Sequence, residues 1–111
     1  MQRREHARYK LWLPVQMSAG GEAKLAVVHN MGAGGMLIAL CAEVKVGEPV
    51  SVRFQLPTGD SQRELQAHIV HVERNAEDPD GEWPFKVGIA FDEVSSDLIP
   101  ALELAVSRFG G

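Results

Sequence analysis

The sequence has few cysteines, no long apolar run and no excess of positive charge. It carries a single cysteine, Cys41, so no disulfide can form within the chain, which fits a reducing compartment. No apolar run approaches the ~20 residues of a membrane span, and the start of the chain lacks a signal-peptide core. The net charge of −4 argues against a general DNA- or RNA-binding protein, because such proteins usually present a basic face. The composition predicts a cytosolic protein, or a cytosolic module of a larger one.

The motifs of common enzyme classes are also missing. No serine lies in a Gly-x-Ser-x-Gly sequence, and the phosphate-binding pattern Gly-x-x-x-x-Gly-Lys-Ser/Thr does not occur. His68 and His71 are three residues apart, a spacing that on a strand places them on opposite faces, and no third ligand lies nearby. We therefore expect no metal site, no cofactor and no enzymatic activity.

What the sequence does contain is a two-residue periodicity in short segments, which is typical of an all-β protein. It predicts six strands, with turns at 19–22 and 57–60, and the strands fall at 9–17, 24–29, 35–40, 50–56, 63–74 and 85–91. A break in the alternation at Ile69-Val70 predicts a β-bulge. Ser95 or Ser96 is a candidate N-cap for a helix over 95–109. We expect one domain over 1–111, made of a flexible arginine-bearing segment (1–8), a closed barrel (9–92) and this helix.

Two polar clusters flank the first two strands. The first is Arg3-Arg4-Glu5-His6-Ala7-Arg8, and the second is the glycine-rich Asn30-Met31-Gly32-Ala33-Gly34-Gly35. Guanidinium groups bind phosphates bidentately and recognise guanine, while a glycine-rich turn lets backbone N–H groups approach a ligand. Together the clusters would suit a small guanine nucleotide. Each also has a plain alternative, namely a solvated basic tail and a strand connection that needs positive φ.

In this order the motifs resemble the PilZ domain family. The family signature is Arg-x-x-x-Arg followed by Asp/Asn-x-Ser-x-x-Gly, and the chain matches it at Arg4, Arg8, Asn30 and Gly35, with Gly32 where serine is expected. The segment Val87-Gly88-Ile89-Ala90-Phe91 is similar to the family's closing Gly-x-x-Phe strand. The resemblance covers about residues 2–109. It implies a six-stranded antiparallel β-barrel with a C-terminal helix, and a bacterial, cytoplasmic receptor for cyclic di-GMP.

The resemblance also implies roles for individual residues. The arginines that match Arg4 and Arg8 grip phosphates and guanine edges, and the residue that matches Asn30 contacts a guanine. Gly32 and Gly35 belong to the turn that offers backbone donors, and further candidate contacts are Gly34, Lys86 and Gly88. An arginine placed as Arg3 is associated in the family with binding of a stacked ligand dimer. A missing hydroxyl at Gly32 removes a hydrogen bond worth roughly 1.5–3 kcal/mol, which lowers affinity about tenfold to a hundredfold.

These observations predict a non-enzymatic sensor or adaptor. Binding of cyclic di-GMP would order the arginine segment and be passed on to a partner protein or an attached domain, as in regulation of motility or biofilms. We expect no DNA or RNA ligand and no membrane insertion. Two alternatives remain: a degenerate member of the family that binds proteins with weak or no nucleotide binding, and an unrelated small barrel that binds another nucleotide or RNA.

Overall fold

The alternating segments close into an antiparallel barrel that is followed by one helix. The computed structural model describes residues 8–57, 62–78 and 80–109. In chain order the elements are β1 (Arg8–Ala19), β2 (Glu22–Gly32), β3 (Gly35–Leu40), β4 (Pro49–Phe54), β5 (Arg63–Arg74), β6 (Phe85–Phe91) and α1 (Leu98–Phe109). The order of the strands around the barrel is β1-β2-β3-β6-β5-β4, and the barrel is closed by pairing of β4 with β1. The predicted fold class is confirmed.

The bounds of β3, β5 and β6 are those that the periodicity predicts, whereas the first hairpin is longer. Its turn has Gly20 at φ 62° and Gly21 at φ 86°, the two positive values that a tight two-residue hairpin turn requires. β1 and β2 then stay paired along nearly their whole length, interrupted by one irregularity. Most of the expected turn at 57–60 lies outside the described residues.

The C-terminal helix begins later than its capping serines suggest. The carbonyl oxygens of Ser95 and Ser96 accept hydrogen bonds from the N–H groups of Leu98 (3.0 Å) and Ile99 (3.1 Å), so a tight turn precedes the helix. α1 therefore starts at Leu98 and not at residue 95. It packs against β1 and β2, and its apolar face joins the core of the barrel through Leu98, Leu102 and Ala105.

The inward-facing side chains of all six strands form one core. It is filled by aliphatic side chains and methionines, with Met17, Met31 and Met36 fully buried. Because inward and outward side chains alternate along each strand, the outer surface of the barrel carries the polar residues and the glycines that concern function.

A β-bulge in β5 confirms the predicted break and corrects another prediction. The register shifts between Ile69 and His71, so the extra residue reverses the facing of the residues after it. His68 and His71 consequently both lie on the outer surface, and the expectation that they occupy opposite faces is wrong. Each has a carboxylate of its own, Asp92 at 3.1 Å from His68 and Glu73 at 2.7 Å from His71.

Three further features of the described residues bear on the expectations from the sequence. Within the ranges that the structure describes, no group of three or more histidine, cysteine or acidic side chains could hold a metal ion. In the same ranges, no helix has the length and apolar character needed to cross a membrane. Cys41 is exposed and is therefore not the small core residue that its type favours.

Candidate functional site

The pairing of β1 with β2 brings the end of the arginine segment beside the glycine-rich turn. Arg8, the first residue of β1, lies opposite Gly32, the last residue of β2. Directly opposed Cα atoms in an antiparallel pair are about 4.5–5.5 Å apart. The last residue of the first cluster therefore lies beside the second cluster at one end of the barrel. Arg3 and Arg4 lie outside the described residues, as does the side chain of Arg8.

Next to this point, a row of paired residues crosses the outer surface of four neighbouring strands and ends on β5. In order around the barrel it consists of Lys10, Asn30, Leu37, Gly88 and His71. Adjacent residues on the same strands point into the core, among them Met31, Met36 and Ile89. The side chains of the row therefore face outward. The row places a lysine, an amide and a residue without a side chain on one continuous surface.

Asn30 is the residue of this row that most clearly lacks a partner. Its Oδ1 atom is buried and accepts no hydrogen bond from the residues that the structure describes. A carbonyl oxygen of an amide can accept two hydrogen bonds, and leaving it buried and unpaired costs about 1–3 kcal/mol. An unpaired buried acceptor is uncommon in folded proteins, and a bound ligand is one source of the missing donor. Guanine offers such donors, including its exocyclic amino group.

The turn between β2 and β3 is held in place by backbone hydrogen bonds. The carbonyl oxygen of Gly34 accepts a bond from the N–H of Phe91 (2.9 Å), and that of Ala33 accepts one from the N–H of Ser95 (2.8 Å). The turn is thus tied both to β6 and to the segment that leads into α1. Because its backbone is fixed, its remaining groups are preorganised for a ligand.

Gly35 is required by a close approach of two strands. A Cβ atom at this position would overlap the carbonyl oxygen of Ile89 and lie 3.2 Å from the Cα of Ala90. Only glycine lets β3 and β6 pair this closely. In the described part of the chain, positive φ occurs elsewhere, at Gly20, Gly21 and Gly47. The alternative that the turn needs its glycines for left-handed backbone is therefore wrong.

The two outward candidates on β6 have different surroundings. Gly88 lies in the row with Asn30, and a Cβ atom there would come within 3.2 Å of the Cβ of His71. Lys86 is two residues away, and its Nζ is 3.1 Å from Oε1 of Glu77. That hydrogen bond and the lysine charge lower the pKa of the Glu77 carboxyl. Lys86 is therefore engaged in an ion pair outside the row.

A cavity beside the row was not anticipated from the sequence. It has a volume of about 250 Å³ and is lined by Trp12, Val27, His29, Glu77, Asp78 and Trp83, among others. The register of the strand pairing shifts next to Trp12 in β1 and next to His29 in β2. The alternation of inward and outward residues therefore does not predict which way either side chain points. The signal available in the sequence is that the aromatic-poor chain has two tryptophans, and both line this cavity.

Trp12 and His29, which both line the cavity, contact each other. Their ring centroids are 4.9 Å apart and the planes are inclined by 50°. Burial lowers the pKa of His29, and the positive charge of Lys86 lowers it further, whereas Glu77 acts in the opposite direction. His29 is thereby kept neutral near neutral pH. Trp12 itself is 75% exposed, an unusual position for the largest apolar side chain.

Comparison with solved structures identifies proteins of the same fold. The Bacillus subtilis inhibitor of motility (MotI/DgrA) aligns with a TM-score of 0.74 and 21% identity, covering 97% of this chain and 52% of that one. The PilZ domain of YcgR from Escherichia coli, solved with c-di-GMP, aligns with a TM-score of 0.70 and 16% identity, covering 96% and 91%. The K. pneumonia MrkH–c-di-GMP complex gives 0.68 and 14%, covering 97% and 52%.

The chain thus spans about half the length of the B. subtilis and K. pneumonia proteins. A comparison with curated protein sequences finds no match. The family model described as "PilZ domain" matches residues 2–106, which include Arg4, Arg8 and the whole turn from Asn30 to Gly35. With nearly the full chain matched, and with a barrel and helix of the same fold, this protein belongs to the PilZ domain family.

Proposed function

We propose that this domain binds cyclic di-GMP on the outer surface around Asn30 and acts as a non-enzymatic adaptor that passes the bound state to a partner protein or an attached domain. The observation that carries the proposal is the unpartnered, buried Oδ1 of Asn30. Cyclic di-GMP carries two guanines and two phosphates. Its recognition needs an acceptor for guanine N–H groups and cations for phosphate, and both are found at this end of the barrel.

The arrangement of charges supports the same ligand. The chain is acidic overall, yet Arg8 lies directly beside the glycine turn and the exposed Lys10 lies directly beside Asn30. We assign the phosphates and guanine edges to Arg4 and Arg8, and a guanine edge to Asn30. Gly32, Gly34 and Gly35 present the backbone of the turn to the ligand. Gly88 has no side chain and therefore leaves space on the neighbouring surface. YcgR and MrkH, two proteins of the same fold, were solved with c-di-GMP, which supports the choice of ligand.

Isothermal titration with cyclic di-GMP tests the proposal. The wild-type chain should bind, and Arg4→Ala/Arg8→Ala should lose most of the affinity while its far-UV circular dichroism is unchanged. Arg53→Ala is the matched control. It removes an exposed arginine of β4 that pairs with Glu64 of β5 (3.0 Å). Arg53 lies opposite Gln16, at the far end of β1 from Arg8, and the variant should bind as the wild type does.

Two outcomes would contradict the proposal. The absence of heat for the wild type at high ligand concentration would favour a family member that interacts with proteins alone. Binding that survives the double arginine substitution would place the nucleotide elsewhere on the chain. The same titration reports stoichiometry, and one ligand per chain in a monomeric protein would exclude the stacked dimer associated with Arg3.

A further inference from the structure

The cavity lined by both tryptophans has the properties of a site for a cationic side chain. Trp12 and Trp83 supply two indole rings, whose faces attract a positive charge, and Trp is the best of the aromatic residues for this contact. His29 adds a third ring and is held neutral, so it does not repel a cation. Val27 and Ala39 also line the cavity and offer apolar contacts to the methylene groups of a long side chain.

The loop that covers the cavity is strongly acidic. Between β5 and β6, residues 75–84 contain four carboxylates, at Glu77, Asp78, Asp80 and Glu82, and no basic residue. Glu77 and Asp78 line the cavity itself, and the Glu77 side chain remains 74% exposed although it pairs with Lys86. The charge complementary to this surface is positive. A phosphate-bearing ligand would be repelled by the same carboxylates.

One wall of the cavity is held in place by hydrogen bonds. Asn75 is only 4% exposed, and its Nδ2 donates to the carbonyl oxygen of Trp83 at 2.7 Å. The N–H of Trp83 in turn donates to Oδ2 of Asp78 at 3.0 Å. Asn75 Oδ1 also accepts a bond from the N–H of Glu77 at 3.2 Å. Trp83 is thus pinned through both of its backbone groups, which preorganises the loop for binding.

From these contacts we propose that the cavity lined by Trp12 and Trp83 docks a basic side chain, arginine above all, from a segment of a partner protein. A guanidinium group can stack on an indole and donate hydrogen bonds to Glu77 in the same pose. The exposed Trp12 is then the surface that the partner covers. This site does not overlap the row around Asn30, and its occupation does not require the nucleotide.

The two tryptophans make the test direct, because the chain has no others and tryptophan emission therefore reports on this cavity. Titration with N-acetylarginine amide should change the tryptophan emission saturably, with a dissociation constant on the order of millimolar for so small a probe. N-acetylcitrulline amide, a neutral molecule of nearly the same shape, should bind at least about fivefold more weakly.

Variants then assign the binding to named residues. Trp12→Ala should weaken binding about five- to thirtyfold, with Trp83 as the remaining reporter, and Trp12→Phe should restore part of the loss. Glu77→Gln should weaken it as well. Leu104→Ala, which truncates an exposed apolar residue of α1, should bind as the wild type does and is the matched control.

The proposal is overturned if arginine and citrulline amides bind equally, or if neither changes the emission. It is also overturned if guanosine monophosphate binds in the cavity, shown by a change in emission that Trp12→Ala abolishes and Arg4→Ala/Arg8→Ala does not. The Arg4→Ala/Arg8→Ala variant separates the two sites. It should lose cyclic di-GMP binding and keep arginine amide binding, so either proposal can fail alone.

Discussion

Arg8 and Gly32 face each other across the open end of the first hairpin, Arg8 as the first residue of β1 and Gly32 as the last of β2. The backbone pairing alone thus brings the last arginine of the first cluster to the second cluster. No loop closure or domain motion is needed to bring the last arginine of the first motif to the turn. Gly32, which stands where the family signature has serine, therefore lies directly beside the last arginine of the first motif.

The first prediction concerns the hydroxyl that Gly32 lacks. Gly32→Ser should tighten cyclic di-GMP binding about tenfold to a hundredfold, because a hydrogen bond to a charged group contributes roughly 1.5–3 kcal/mol. Gly32 is not among the positive-φ glycines of the described chain, so a serine meets no conformational penalty there. Titration calorimetry on both proteins measures the change. Weaker binding by the serine variant would mean that the turn needs the bare glycine.

The second prediction contrasts two asparagines. Asn75 makes two hydrogen bonds inside the loop, so Asn75→Ala should lower the free energy of unfolding by about 1–3 kcal/mol. Asn30 has an unpaired, buried Oδ1, so Asn30→Ala should leave stability unchanged or raise it slightly while binding of cyclic di-GMP is lost. Urea unfolding and calorimetry on the two variants decide this. A strongly destabilised Asn30→Ala would show that its amide serves the fold.

The sequence predicts the strands well because each strand of a barrel has a local sequence pattern, the alternation of buried and exposed residues. The limits of β3, β5 and β6 and the bulge near Val70 all follow from that alternation. Facing is predictable only up to a bulge. Beyond the one in β5, His71 turns to the outer surface with His68, which spacing alone cannot reveal.

Contacts made by irregular segments are harder to predict. The cavity depends on Trp83 in a loop, on Trp12 and His29 at register shifts, and on Asn75 as the buried anchor. None of these residues is part of a regular alternation of buried and exposed positions, so the sequence pattern does not predict that they lie close together. The motifs that we propose bind the nucleotide can be located in the sequence because their residues are regularly spaced and lie at strand ends.

The third prediction tests the close approach of β3 to β6. Gly35→Ala puts a Cβ atom onto the backbone oxygen of Ile89, which cannot move without breaking the strand pairing. We expect a loss of about 3 kcal/mol or more, at the upper end of the usual cost of overpacking. Gly88→Ala is the matched control and should cost less stability. Its Cβ would meet side-chain atoms of His71 and Val70, at 3.2 and 3.6 Å, and not the backbone oxygen of a paired strand. Equal stability losses for the two variants in urea unfolding would contradict this account.

The fourth prediction concerns the pH dependence of stability. Burial and the charge of Lys86 lower the pKa of His29 in the folded chain, whereas the unfolded chain titrates near the ordinary histidine value of about 6.5. Below that value, and down to the lowered pKa, the unfolded chain binds more protons. Stability therefore falls as the pH drops through this window. The groups facing His29 are Lys86, which opposes its protonation, and Glu77, which favours it.

Urea unfolding of the wild type and of His29→Gln between about pH 7.5 and about pH 5.5 measures the effect. The wild type should lose more stability on acidification than the glutamine variant does. Carboxylates with lowered pKa, such as Glu77 and Asp97, act at more acid pH, since their ordinary pKa values are 4.5 and 3.8. Parallel pH profiles for the wild type and His29→Gln would show that His29 protonates as easily in the folded chain as in the unfolded one, and the neutral ring assigned to the cavity would then be wrong.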